Sequence, residues 1–121
     1  MGSMKHILLV DDEGIIILNI ARKIESEGYR VTLALDGKEG LQVFRDDPAD
    51  LVITDLSMPV MDGYTFIREL RQEAPAVNIA VLSAAIKEEL KEILVENHVC
   101  FTFSKPVQEN MLVDAIHEVL N

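Results

Sequence analysis

The sequence predicts a doubly wound α/β fold on a five-stranded parallel sheet, and three observations carry that expectation. Five times a short apolar, β-branched run is followed by a longer segment with helical periodicity. Alternation of short strands with helices indicates a parallel sheet covered on both faces. The polar residues that break the apolar runs fall at their ends, where an open α/β sheet keeps its binding edge. With 121 residues, there is room for one such domain at roughly 100–200 residues each.

The elements follow in order. The run His6–Val10 precedes a helix striped by Ile16, Ile20 and Ile24, and Gly28 stands where a left-handed C-cap is expected. The second run, Arg30–Ala34, leads to a helix opened by Asp36 with Glu39 three residues on, the spacing of a capping box. Pro48 lies in the turn before the third run, Leu51–Thr54. The acid of Asp62-Gly63 caps the next helix, which carries Phe66, Ile67 and Leu70 and ends before Pro75. A fourth run over 78–82 is followed by the stripe Ile86, Leu90, Ile93 and Leu94, with Asn97 expected at a left-handed helix end. The fifth run, 101–104, precedes Leu112, Ala115, Ile116 and Val119.

Composition narrows the function. Hydrophobic residues make up 49% of the chain, enough for a proper core. Eleven Lys and Arg against twenty-one Asp and Glu give a formal charge of −10, which repels phosphate backbones and anionic lipid. We therefore expect no direct contact of this domain with nucleic acid and none with membrane. No stretch approaches the ~20 apolar residues of a membrane span. One cysteine, Cys100, forms no internal disulfide, which fits a reducing compartment, and a cytoplasmic location is expected. Residues 1–3, ahead of a second methionine, read as an expression-tag remnant, leaving 4–121 as the domain.

Right-handed crossovers bring the C-terminal ends of the strands to one rim. Asp11, Asp12 and Glu13 follow the first run, Asp55 ends the third, Ser83 the fourth and Lys105 the fifth. Each has a plain alternative: Asp11 and Asp12 as caps of the first helix, Ser83 as a cap of the fourth, Lys105 as a solvated partner of Asp55. Capping explains one acid, and leaves Asp55 on another strand unexplained. Two charges ~4 Å apart repel by about 4 kcal/mol at an effective dielectric of ~20, so clustered carboxylates take up a proton or a cation. An all-oxygen set selects a hard divalent ion, and Mg²⁺ suits a site that also accepts phosphate. Beside Mg²⁺, Lys105 would complete a positive pocket for a phosphoryl group, Asp55 would be the nucleophile, and Ser83 could donate its hydroxyl hydrogen.

These residues resemble the response-regulator receiver domain of two-component signalling over 4–121. The matching pieces are Leu9, Val10, Asp11, Asp12 and Glu13; Asp55 through Gly63; Leu82, Ser83 and Ala84; and Ser104, Lys105 and Pro106. The resemblance implies a flavodoxin-like sheet of order 2-1-3-4-5 and a cis peptide before Pro106. It implies that Asp55 accepts phosphate from a phosphohistidine on a sensor histidine kinase or phosphotransfer protein. It also implies that Asp11, Asp12, Asp55 and the Ser57 carbonyl bind Mg²⁺, Asp11 largely through water, that Lys105 contacts the phosphoryl group, and that Ser83 moves toward it. Its other partners would be a downstream effector or an output domain, with a phosphorylation-dependent homodimer among the family's assemblies. Any chemistry would be self-catalysed phosphotransfer and autodephosphorylation.

The chain departs from the family pattern twice. Many receivers carry an aromatic residue three positions before the lysine; here it is Thr102, and strand alternation puts Phe101 and Phe103 on the opposite face, in the core. The fourth helix ends in Val95, Glu96, Asn97, His98, Val99 and Cys100 instead of small residues and glycine. His98 and Cys100 are two ligands short of a metal site. His6, His98 and His117 lack the helical-bundle setting of a phosphodonor. Three other functions stand beside the switch. A haloacid-dehalogenase-type hydrolase needs a second acid two positions after the nucleophile, where Ser57 stands. A nucleotide-binding domain needs a glycine-rich first turn, whereas this turn is acidic with only Gly14. A docking module without phosphorylation is the third.

Overall fold

The computed structural model describes residues 4–121, so the expectation for residues 1–3 lies outside the described residues. In chain order the elements are β1 (His6–Val10), α1 (Gly14–Ser26), β2 (Arg30–Ala34), α2 (Gly37–Asp46), β3 (Leu51–Thr54), α3 (Gly63–Glu73), β4 (Asn78–Ser83), a 3₁₀ turn (Glu88–Leu90), α4 (Lys91–Glu96), β5 (Thr102–Ser104) and α5 (Glu109–Leu120). All strand pairs are parallel and the order is β2-β1-β3-β4-β5. The Lys105–Pro106 peptide is cis.

Successive side chains of a strand point to opposite faces, and the central strands are apolar on both. Ile7, Leu9, Ile53, Ala80 and Leu82 pack with Ile17, Ile24, Leu112 and Ile116 on the α1/α5 side. Leu8, Val10, Val52, Ile79 and Val81 pack with Leu41, Phe66, Leu70 and Leu94 on the other. Phe101 and Phe103 join the α1/α5 side, their ring centroids 5.4 Å apart, while Thr102 is exposed.

Caps form largely where expected. Asp62 Oδ1 accepts from Thr65 N at 3.0 Å, and Asp36 Oδ1 from Glu39 N at 2.8 Å. The return bond of that second cap lands one residue early, with Glu39 Oε1 accepting from Leu35 N at 3.3 Å. Gly28 is left-handed at φ 99.

Three expectations need correction. Ile16 is 49% exposed, and the buried stripe of α1 is Ile17, Ile20, Ala21 and Ile24. A repeat of four drifts off one face of a 3.6-residue helix, and the spacing three, one, three stays on it. The fourth stripe does not begin a helix at Ile86: residues 84–87 are irregular, and α4 has only 6 residues, with Leu94 its one buried side chain. The left-handed position after α4 is His98 at φ 55, not Asn97 at φ −96. Asn97 is the C-cap, and the left-handed residue of a Schellman motif lies one further on. His98 N donates to Val95 O at 3.0 Å and Val99 N to Leu94 O at 3.1 Å, the two bonds of that motif.

Candidate functional site

The parallel ladder carries the key backbone past the strand ends. Asp11 N donates to Ala34 O at 3.0 Å, Asp55 N to Val10 O at 2.9 Å, and Lys105 N to Ser83 O at 3.1 Å. Side chains separated by up to four α-helices in sequence therefore meet at one rim. Asp11, Asp55 and Ser83 are buried, while Asp12 and Ser57 are exposed.

Asp55 has two unlike oxygens. Oδ1 accepts from Leu56 N at 2.7 Å, which fixes the carboxylate plane, and Oδ2 faces Lys105 Nζ at 3.3 Å. Lys105 is bound more tightly elsewhere, donating to Asp11 Oδ2 at 2.5 Å and to Glu13 Oε1 at 2.6 Å. Burial alone would favour the neutral lysine. Hydrogen bonds to Asp11 and Glu13 and the charges of Asp11 and Asp55 outweigh it and hold the pKa well above the ordinary lysine value. The same burial pushes Asp11 above the usual carboxylate range, with Lys105 and the Glu13 N–H only partly offsetting it.

Asp11, Asp12 and Asp55 each offer a carboxylate oxygen within 4.8 Å of the other two, the one such group of His, Cys, Asp or Glu among the described residues. Asp12, Asp55, Ser57, Ser83, Ala84 and Ala85 line a cleft of about 300 Å³ against these acids. All six side chains expected at the rim are thus together: Asp11, Asp12, Glu13, Asp55, Ser83 and Lys105, with Ser57 beside them in the cleft. The capping roles do not hold, while Lys105 does pair with Asp55 but from a largely buried position. The N-cap of α1 is Glu13, with no side-chain cap bond. Ser83 accepts from Ala85 N at 3.3 Å and caps no helix. His98 and Cys100 are exposed, and His6 is buried with its ring held by Pro48 O and Thr32 Oγ1.

Two residues do more than the sequence assigned to them. Glu13 is the second partner of Lys105, and nothing in an acidic run tells which acid reaches a distant lysine. Gly63 was read as part of a helix start and as the end of the matched stretch from Asp55, yet a Cβ on it would run into the backbone of Asp55 and Leu56. The lack of a side chain at the head of α3, after Asp62, was the available signal. Away from the rim, Thr102 opens onto a groove of about 550 Å³ with Ile86, Leu94, Val99 and Cys100.

Residues 7–117 match the response regulator receiver domain family. The chain is 34% identical over 115 residues to the transcriptional regulatory protein GlrR of Escherichia coli K12, covering 95% of this chain and 26% of that one. It is 30% identical over 116 residues to the sensor kinase CckA of Brucella abortus, covering 94% of this chain and 12% of that one. The chain thus spans about a quarter of the first relative's length and less of the second's. A CheY-like response regulator receiver domain protein of Methanospirillum hungatei superimposes with a TM-score of 0.92 at 26% identity, over 96% of this chain and 93% of that one. Matched over nearly its whole length in both sequence and fold, this chain belongs to the receiver-domain family of two-component response regulators.

Proposed function

We propose that residues 4–121 form a switch whose Asp55 accepts a phosphoryl group from a phosphohistidine of a sensor histidine kinase or phosphotransfer protein. The observation that carries this is the Asp55 carboxylate itself, with Oδ1 pinned by Leu56 N and Oδ2 turned toward Lys105 over an open cleft. Asp55 Oδ2 forms the bond to phosphorus as the phosphorus–nitrogen bond of the donor breaks, and the imidazole nitrogen keeps that electron pair. Lys105, held protonated, stabilises the equatorial oxygens. Ser83, buried at the cleft wall, donates its hydroxyl hydrogen to the acyl-phosphate.

The all-oxygen donor set of Asp11, Asp12 and Asp55 fits Mg²⁺, with the Ser57 carbonyl as a further ligand. When bound, Mg²⁺ supplies positive charge to acids that a single ammonium leaves in excess. The result is a phosphoprotein whose own chemistry is limited to phosphotransfer and autodephosphorylation. The similarity to a transcriptional regulator and to a sensor kinase supports a downstream effector or an attached output domain, and a phosphorylation-dependent homodimer is compatible with either. No helix among the described residues is long and apolar enough to cross a membrane. That, with the −10 charge, supports a cytoplasmic domain that touches neither membrane nor nucleic acid.

The test is intact mass after incubation with a small phosphodonor and Mg²⁺. Wild type should gain one phosphoryl group and Asp55→Asn none; equal gain by both, or none by wild type, refutes the assignment.

A further inference from the structure

Lys105 has three N–H donors, and in this structure all three meet carboxylates: Asp11 at 2.5 Å, Glu13 at 2.6 Å and Asp55 at 3.3 Å. A phosphoryl oxygen on Asp55 needs one of those donors, so one carboxylate has to let go. The three are not equally free to do so. Asp11 is buried, and its other oxygen accepts from Glu13 N at 3.0 Å. Asp55 carries the group. The Glu13 side chain is 44% exposed, and its carboxylate makes no other hydrogen bond among the described residues.

Building on the assignment of Asp55 as acceptor, we infer that Glu13 is a positioning residue that holds, in the resting state, the place on Lys105 that a phosphoryl oxygen takes after transfer. The carboxylate stands in for the incoming anion, keeping the ammonium at the mouth of the cleft. Its release is inexpensive because the freed side chain meets water and stays at the N-terminus of α1, where the helix dipole favours an anion. Glu13 therefore competes with the phosphoryl donor for Lys105. A neutral side chain at this position would accept a weaker hydrogen bond and yield more readily.

The test compares phosphoryl uptake from phosphoramidate with Mg²⁺ in wild type, Glu13→Gln and Glu109→Gln. Glu109 faces the same cavity as Glu13 and Lys105 but makes no bond to Lys105. It controls for the loss of one negative charge nearby. The half-saturating donor concentration should fall roughly three- to tenfold in Glu13→Gln, with the plateau rate changed less than twofold, and should move less than twofold in Glu109→Gln. Thermal melts confirm that each variant is folded, as an exposed, isosteric change should leave it. Wild type that takes up phosphate while Glu13→Gln matches either wild type or Glu109→Gln overturns this inference alone. Wild type that takes up none overturns the acceptor assignment and this inference with it.

Discussion

Gly63 and Asp55 are in backbone contact: a Cβ on Gly63 would overlap the Asp55 carbonyl oxygen and lie 2.6 Å from Leu56 Cα. Gly63 N also donates to Leu56 O at 3.0 Å. The first turn of α3 is thus seated directly on the backbone of the proposed acceptor, and neither partner is a flexible side-chain end that can swing away.

Gly63→Ala should accordingly push α3 off the β3 loop, at about 2–3 kcal/mol of stability. Urea unfolding measures the loss. Phosphoryl uptake should slow as well, because the displaced backbone carries the Leu56 N–H that pins Asp55 Oδ1. A variant as stable as wild type would show that the loop yields without penalty.

Crowded acids give a prediction of opposite sign. Asp12→Asn removes one of three clustered carboxylates and should stabilise the metal-free protein by about 1 kcal/mol. Mg²⁺ should raise the melting temperature of wild type and do so much less in the variant. Differential scanning calorimetry with and without Mg²⁺ reads both effects.

Two acids push the pH dependence in opposite directions. Burial first, then the Asp55 charge, raises Asp11 above its ordinary 3.8, so the folded state binds its proton more tightly than the unfolded chain does. Its contribution is fully present below about 3.8, falls as pH rises through the raised value, and is restored on acidification. Burial also opposes ionisation of Asp62, but the Thr65 N–H and hydroxyl outweigh it and hold Asp62 below 3.8. Its cap is fully present above about 3.8 and lost as pH falls through the lowered value. Asp62→Ala should cost about 1 kcal/mol at pH 7, and the gap from wild type should narrow as pH falls below about 3.8. A gap constant between pH 7 and pH 3 would contradict the assignment.

Val60 sits at φ 68, with Met61 N donating to Pro59 O at 2.8 Å across it. A β-branched residue is strained there, and its side chain is exposed, so little packing is lost by removing it. Val60→Gly should stabilise by about 1 kcal/mol, the relieved strain exceeding the added chain entropy. Chemical denaturation decides the sign.

Most of the fold was legible because the central strands are apolar on both faces and the breaks in them are chemically distinctive. Asp55, Ser83 and Lys105 could be placed at one rim from topology alone, since parallel strands with right-handed crossovers present their C-terminal ends together. Legibility failed where a short-range pattern had to predict a long-range fit. The strip of isoleucines in α1 is nearly continuous, so Ile16 and Ile17 compete for the core position and only packing decides between them. The stripe from Ile86 to Leu94 marks residues that face the α2/α3 core, but burial on one side does not require a continuous helix. The hold of Glu13 on Lys105 links residues 92 positions apart, and no spacing rule reaches that far.

The weak hold on the stretch after Ser83 has a mechanical consequence. Between that serine and β5 the chain has a 3₁₀ turn, fewer than two turns of α-helix and one buried anchor, Leu94. Helices this short have little cooperativity of their own, and regions with few interior anchors open at the lowest free energy. A pull on the Ser83 hydroxyl would therefore be felt first in the most compliant part of the molecule. The displacement would be spent at its surface, while the sheet that supports the acids stays still.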